Sequence, residues 1–106
     1  MLEIHVNFAS AEEADRVARR AVAARLAASA NIHGAIRSHY WWDDAVRTAD
    51  EVPVVFKTSD EAAGTLMAFL DEAHSYETPS IVAHRPHGTT PAYAAWVARE
   101  ARAGAE

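Results

Sequence analysis

T-S-D-E (residues 58–61), a helix-length stretch, H-S-Y-E-T-P (74–79), the apolar Ile81-Val82-Ala83 and T-T-P-A-Y-A-A-W (89–96) form the ordered run from which the fold can be read. Thr58 with Glu61 has the form of a capping box, in which a hydroxyl accepts a first-turn N–H and a carboxylate reaches back to the cap. Ala62, Leu66, Phe69 and Leu70 then recur at helical spacing. The helix must stop before Thr78-Pro79, because the residue ahead of proline is pushed out of the α region. Ile81 to Ala83 reads as a strand. Thr90-Pro91 reads as a cap with proline at the first helical position, opening a last helix through Tyr93, Trp96 and Val97 to a frayed tail at Gly104.

Upstream, Leu2, Ile4, Val6 and Phe8 alternate with Glu3, His5 and Asn7, the period of a half-buried strand over 2–8. Ser10 with Glu13 is another capping box, so a helix starts at Ala11; Ala14, Val17, Ala18, Ala21, Val22 and Leu26 give it one apolar face, and it should end near Ala28 to Ser29. Ile32, Ile36, Tyr40 and Trp41-Trp42 carry a long extended segment with Gly34 as a bulge or bend, and Asp43-Asp44 reads as a tight turn. Glu51 to Lys57 supplies a β-branched third strand. The order β-α-β-β-α-β-α predicts an α+β fold: a ferredoxin-like βαββαβ sandwich with an extra C-terminal helix and both crossover helices on one face of the sheet. The other face, which includes Val55, is too apolar to stand in water, and a second copy of the chain is the expected cover.

A chain of 106 residues suits a single domain spanning 1–106, and 50% hydrophobic with 24% charged residues is a globular composition. Fifteen acidic against ten basic side chains leave a net charge of −5 with no basic stripe, which argues against nucleic acid as partner. No run approaches ~20 apolar residues and the first residues lack a basic region with an apolar core, so neither a membrane span nor a secretory signal is expected. The cytoplasm is the expected compartment. The absence of cysteine removes thiolate metal sites, disulfides and cysteine nucleophiles.

Six histidines invite a metal reading. His5 in the first strand and His84 at the end of the fourth lie on neighbouring strands of the expected sheet, close enough for two imidazoles to share an ion; polar residues at a subunit interface are the ordinary alternative. His33 and His39 share a strand face but stand ~20 Å apart along it, too far to chelate together. His74, Tyr76 and Glu77 cluster where the second helix gives way to the fourth strand. They could ligate a cation or act as acid and base, or His74 could simply complement the helix dipole while Glu77 caps backbone. Lys57, the single lysine, could join Tyr40, Trp41, Trp42 and Trp96 around a small anion, or serve as a solvated sheet edge. No catalytic motif is present, so no enzyme is expected.

Together with A-A-R-L-A-A-S-A-N-I (23–32), S-H-Y-W-W (38–42) and E-V-P-V-V-F-K-T (51–58), the run from Thr58 to Trp96 makes the chain resemble the CutA divalent-cation tolerance family. The resemblance implies a homotrimer of ferredoxin-like subunits, similar to PII-type signalling trimers, with long second and third strands wrapping neighbours and a link to divalent metals, copper above all. It matches Arg25 to Ala28 with a helix end, Asn31-Ile32 with a strand entry, and Tyr40 with Trp41 or Trp42 as an aromatic strand end. It also matches Glu51, Lys57 and Thr58 with the third strand, His74, Tyr76, Glu77 and Pro79 with the helix-to-strand motif, and Tyr93 with Trp96 in the last helix. The chain departs at Ser29, where many members have cysteine, at Ser75, where proline normally follows histidine, and at Ser80, where glutamate usually stands. With no soft thiolate, imidazole and carboxylate ligands suit Cu(II), Zn or Ni. The expectation is therefore a trimer binding a divalent cation, or a small anionic ligand, at inter-subunit clefts, with His74 and Glu77 as metal ligands and Lys57, Tyr76, Glu77 and Trp96 as binding residues. The alternatives are a PII-like metabolite-sensing module contacting a protein partner and an enzyme using Glu77 or His74 as base.

Overall fold

The alternation of Leu2, Ile4, Val6 and Phe8 with polar residues builds β1 (Leu2–Phe8) in the computed structural model, which describes residues 1–102. The expected tail at Gly104 lies outside the described residues. Ser10 starts α1 (Ala11–Ala23) as expected, its hydroxyl accepting the Glu13 N–H at 3.1 Å. The helix ends well before Ala28. Arg25 sits in the left-handed region at φ 65°, the Arg25 N–H donates to the Val22 carbonyl and the Leu26 N–H to the Ala21 carbonyl, each at 3.0 Å. This is the paired-bond stop that glycine usually provides, so the sequence held no sign of it. The Arg25 guanidinium donates to the Glu100 carboxylate at 2.6 Å, and the Arg25 carbonyl accepts the Arg102 N–H at 3.0 Å.

The extended segment after α1 is two strands, β2 (Ser29–Ile32) and β3 (Ile36–Trp42), followed by β4 (Ala45–Thr58), α2 (Ala63–Ala73), β5 (Ile81–His84) and α3 (Pro91–Glu100). Three helices and a five-stranded antiparallel sheet make the fold α+β, with strand order β2-β4-β1-β5 and β3 paired to β4. At ~3.3 Å per residue the 14 residues of β4 reach about 46 Å. That matches the 44 Å long axis of the molecule. Val52 to Thr58 pairs with β1, whereas Ala45 to Glu51 pairs with β3 alone. The break between β2 and β3 falls opposite Pro53, which has no N–H to give the ladder; its carbonyl still accepts the His33 N–H at 2.9 Å. Three residues, His33 to Ala35, face only Val52 and Pro53, which is the bend expected at Gly34. Asp43 and Asp44 close the hairpin with φ of 51° and 59°, the two left-handed residues a tight two-residue turn requires.

Ile4, Val6, Phe8, Val52, Val54 and Phe56 point to one sheet face and pack under Ala14, Val17, Ala18 and Ala21 of α1 and Leu66 and Leu70 of α2. Glu3, His5, Asn7, Val55, Lys57, Val82 and His84 alternate onto the opposite face, which no described element of this chain covers. The start of α2 departs from the Thr58 with Glu61 capping box. Thr58 stays in β4, fully buried, with its hydroxyl donating to the Leu26 carbonyl at 2.7 Å. Ser59 closes the turn ahead of α2 instead, its hydroxyl accepting the Ala62 N–H at 3.0 Å and donating to the Ala101 carbonyl at 2.7 Å, which fastens the end of α3, while the helix's own cap, Ala62, makes no side-chain hydrogen bond. Thr90 caps α3 as predicted, accepting the Tyr93 N–H at 3.4 Å. Among the described residues no helix is long and apolar enough to cross a membrane.

The stop at Arg25 carries a stability prediction. Arg25→Ala loses the tie to Glu100 and keeps the left-handed backbone, whereas Arg25→Gly loses the tie but removes the steric cost of a Cβ there. The glycine variant should be the more stable of the two by about 1 kcal/mol in urea denaturation. Equal midpoints would contradict it.

Candidate functional site

The segment from His74 to Ser80 has no regular structure, yet hydrogen bonds tie its first residues to β1 and α1. Glu13, placed in the first turn of α1 by its capping position, does not bond to the Ser10 N–H. Its carboxylate accepts the Ser75 N–H at 2.8 Å, the Ser75 hydroxyl at 2.9 Å and the Ala9 N–H at 3.3 Å. Burial alone would raise this carboxyl. The Ser75 and Ala9 hydrogen bonds outweigh it and hold Glu13 below the usual glutamate value. A depressed carboxyl stabilises the fold at pH above its unfolded value, and that contribution fades as pH falls through the folded one.

His74 is buried and spans the same junction. The Asn7 carbonyl at 2.7 Å can only accept, so Nε2 carries the proton; the Tyr76 N–H at 3.0 Å can only donate, so Nδ1 is the acceptor. The ring is therefore a neutral imidazole with both nitrogens engaged, and neither is left to bind a metal in this geometry. It stacks on Phe8 with ring centres 4.8 Å apart and 7° between planes, and meets Tyr76 at 4.7 Å. His74 thus orients the loop, which is a different task from the metal ligation expected of it.

Beyond this anchor the loop faces the β3–β4 hairpin across a cavity of about 570 Å³, lined by Tyr40, Trp41, Trp42 and Glu51 on one side and Ser75 to Thr78 with Ser80 on the other. The hairpin register pairs Ile36 with Glu51 and so carries Tyr40 and Trp42 onto the face that holds Glu51. Glu51 is only 8% exposed. Burial, and then the Glu51 carboxylate accepting from its phenol, push Tyr76 up to about 12. Tyr76 and Glu77 are accordingly brought together as the sequence predicted, and both line the cavity.

The other expected participants lie elsewhere. Lys57 is six residues beyond Glu51 on β4, roughly 20 Å at strand rise, and donates to the Asn31 side chain at 2.7 Å on the uncovered face. Trp96 belongs to α3, packed against Tyr93 at 5.6 Å, and does not line the cavity. His5 and His84 do meet, ring centres 4.3 Å apart, with Glu3 at 3.2 Å from His5 Nε2. The register makes Val82 the direct partner of His5, so the two histidines are diagonal neighbours. Among the described residues no group of three His, Cys, Asp or Glu is disposed to hold a metal ion. Glu51 is the participant that sequence reasoning placed only in a strand. Its role depends on a pairing fifteen residues back along the chain, and no local pattern marks it.

The model of the CutA1 divalent ion tolerance protein family matches residues 2–100. The chain belongs to this family. It is 36% identical over 80 residues to the divalent-cation tolerance protein CutA of Archaeoglobus fulgidus, covering 76% of this chain and 78% of that one. It is 31% identical over 97 residues to the CutA of Thermotoga maritima, covering 92% and 95%. In structure it is similar to the divalent cation tolerance protein Cut A1 of Thermus thermophilus, with a TM-score of 0.89 and 30% identity over 94% of this chain and 98% of that one. Ser29, where the family resemblance leads one to expect cysteine, has a buried hydroxyl with no hydrogen-bond partner among the described residues.

The raised phenol gives a direct optical test. In a 295 nm titration Tyr76 should give a late ionisation step near 12. Tyr76→Phe should abolish the late step, and Glu51→Gln should bring it earlier by removing the negative neighbour. A wild-type titration in which Tyr76→Phe removes no late step would contradict the burial and the pairing.

Proposed function

We propose that this chain is a homotrimeric cation-binding protein of the divalent-cation tolerance family, with the cation taken in the cleft between the hairpin and the Ser75–Ser80 loop. The observation that carries the reading is the lining of that cleft: two carboxylates, Glu51 and Glu77, four aromatic rings, three hydroxyl residues and no Lys, Arg or His. Such a wall repels anions and favours a positive guest. Divalent ions are the class the family name points to, and Cu(II), Zn(II) or Ni(II) would find carboxylate and hydroxyl oxygens here rather than thiolates. The anionic alternative has less support, because Lys57 is held on the uncovered face.

The trimer completes this reading. The β-α-β-β-α-β order with antiparallel neighbours supports a ferredoxin-like subunit, and its uncovered sheet face and protruding hairpin are the surfaces a partner would take. Trp41 is 73% exposed and Val46 60% on that hairpin, an apolar display that subunit contacts would bury. The cleft runs along this arm from Glu51 at its inner end to Trp41 and Trp42 beside the turn, and in a trimer whose subunits meet at the arm it would lie at a subunit boundary.

Calorimetric titration of the chain with Cu(II), Zn(II) and Ni(II) chlorides, set beside sodium phosphate and citrate, tests the cation reading. Saturable heat from a cation, lost in Glu51→Gln with Glu77→Gln, is expected; heat from the anions alone would overturn it. Light scattering at low micromolar concentration should give three times the chain mass. A stable monomer would remove the trimer.

A further inference from the structure

We propose that the uncovered sheet face carries an acid switch on assembly: His5 and His84, paired there, loosen the contact between copies of the chain when both take up protons. This rests on the reading that other copies of the chain cover that face. The register lays the face out in rows across the sheet. Lys57, Glu3 and His84 form one row, and Val55, His5 and Val82 form the next. His5 therefore stands between two valines, of which Val82 is 48% exposed, at the apolar centre that a second copy would bury. Its ring lies 4.3 Å from that of His84, and its Nε2 is 3.2 Å from the Glu3 carboxylate.

Charge decides when such a face can be covered. Imidazole is the side chain whose charge changes between pH 5 and 8. With both rings neutral, Lys57 and Glu3 stand opposite each other and cancel, so these rows bring no net charge into a contact. In acid His5 pairs with Glu3, the one carboxylate in either row, and His84 then faces a charged ring with no acid of its own. Three positive groups surround a single carboxylate, and symmetry repeats them in every copy. The neighbouring charges do not offset this. Asp60 is already shared between Arg85 at 3.2 Å and the N-terminal amine at 3.4 Å, and His33, two places past Asn31 at the β2 edge, can only add positive charge. Contact between copies would hold the rings out of water, where like charges are screened least. The assembled state thus binds fewer protons than the free chain, so assembly is strongest above pH 7 and weakens as pH falls through the imidazole range.

Light scattering at pH 7.5 first establishes the oligomer. Subunit exchange is then followed at pH 7.5 and 5.5 by energy transfer between chains labelled with donor or acceptor dye at Glu12→Cys, an exposed position on α1 and the sole thiol in a chain without cysteine. Exchange should be about tenfold or more faster at pH 5.5. His5→Gln combined with His84→Gln should remove the acceleration, Glu3→Gln should bring it on at higher pH, and His33→Gln should leave it in place. The stabilising contribution of Glu13 fades only below the glutamate range, so the subunit should stay folded at pH 5.5, as circular dichroism checks. A monomer at pH 7.5 overturns both the assembly and the switch. An oligomer whose exchange does not accelerate in acid, one that unfolds there instead, or equal acceleration in the double variant overturns the switch and leaves the assembly standing. Should the double variant fail to assemble, His84→Gln alone decides, and undiminished acceleration in it overturns the proposal.

Discussion

The backbone of β4 must find partners along its whole length, and β1 can serve only half of it. A strand of 14 residues exposes donors and acceptors on both edges, and β1 contributes seven. β2 and then β3, folded back through Asp43 and Asp44, pair along one edge, whereas on the other edge β1 reaches only Val52 to Thr58, so Ala45 to Glu51 keep one edge without a strand among the described residues. Pro53 marks the point of transfer, where the ladder to β2 lapses and that to β3 has not begun. Glu51 lies at this joint. Further into the sheet, Val52 and Val54 face the core; one place out on the arm, Asp50 is solvated. Glu51 is buried at this joint, where the Tyr76 loop closes beside it.

That closure rests on two polar side chains that a looser structure would leave mobile. Glu13 is buried and charged, which is tolerable only with full hydrogen bonding, and charge-assisted hydrogen bonds contribute about 1.5–3 kcal/mol each. Three such bonds converge on it from Ser75 and Ala9. His74 adds a neutral bridge from the loop to the end of β1 and a stacked face on Phe8. The loop is consequently a fixed wall, and the outer part of the hairpin opposite, its aromatic rings exposed, is the part free to adjust to a guest or a partner.

Most of the fold was legible because its signals are local. Alternation over 2–8, the Ser10 and Thr90 caps and the Pro79 stop each need only neighbours within a turn or a strand. Where local signals misled, a distant contact had replaced a local one. Thr58 bonds to Leu26 instead of capping α2, and Glu13 bonds to Ser75 instead of closing its own box. Arg25 stops α1 in a glycine's conformation, with Glu100 and Arg102 as its neighbours from far along the chain. The site followed the same rule. Tyr76 and Glu77 were readable as a pair because they are adjacent, but Glu51 and the hairpin aromatics joined them through register, and Lys57 left them by distance along β4.

The phenol and the buried carboxylate shape this wall of the cleft together. Tyr76, pushed up to about 12 by burial and then by the neighbouring Glu51 carboxylate, keeps its proton throughout the physiological range. A protonated phenol beside Glu51 leaves the carboxylate as the negative group of that wall, at a position only 8% exposed, where water screens its field weakly.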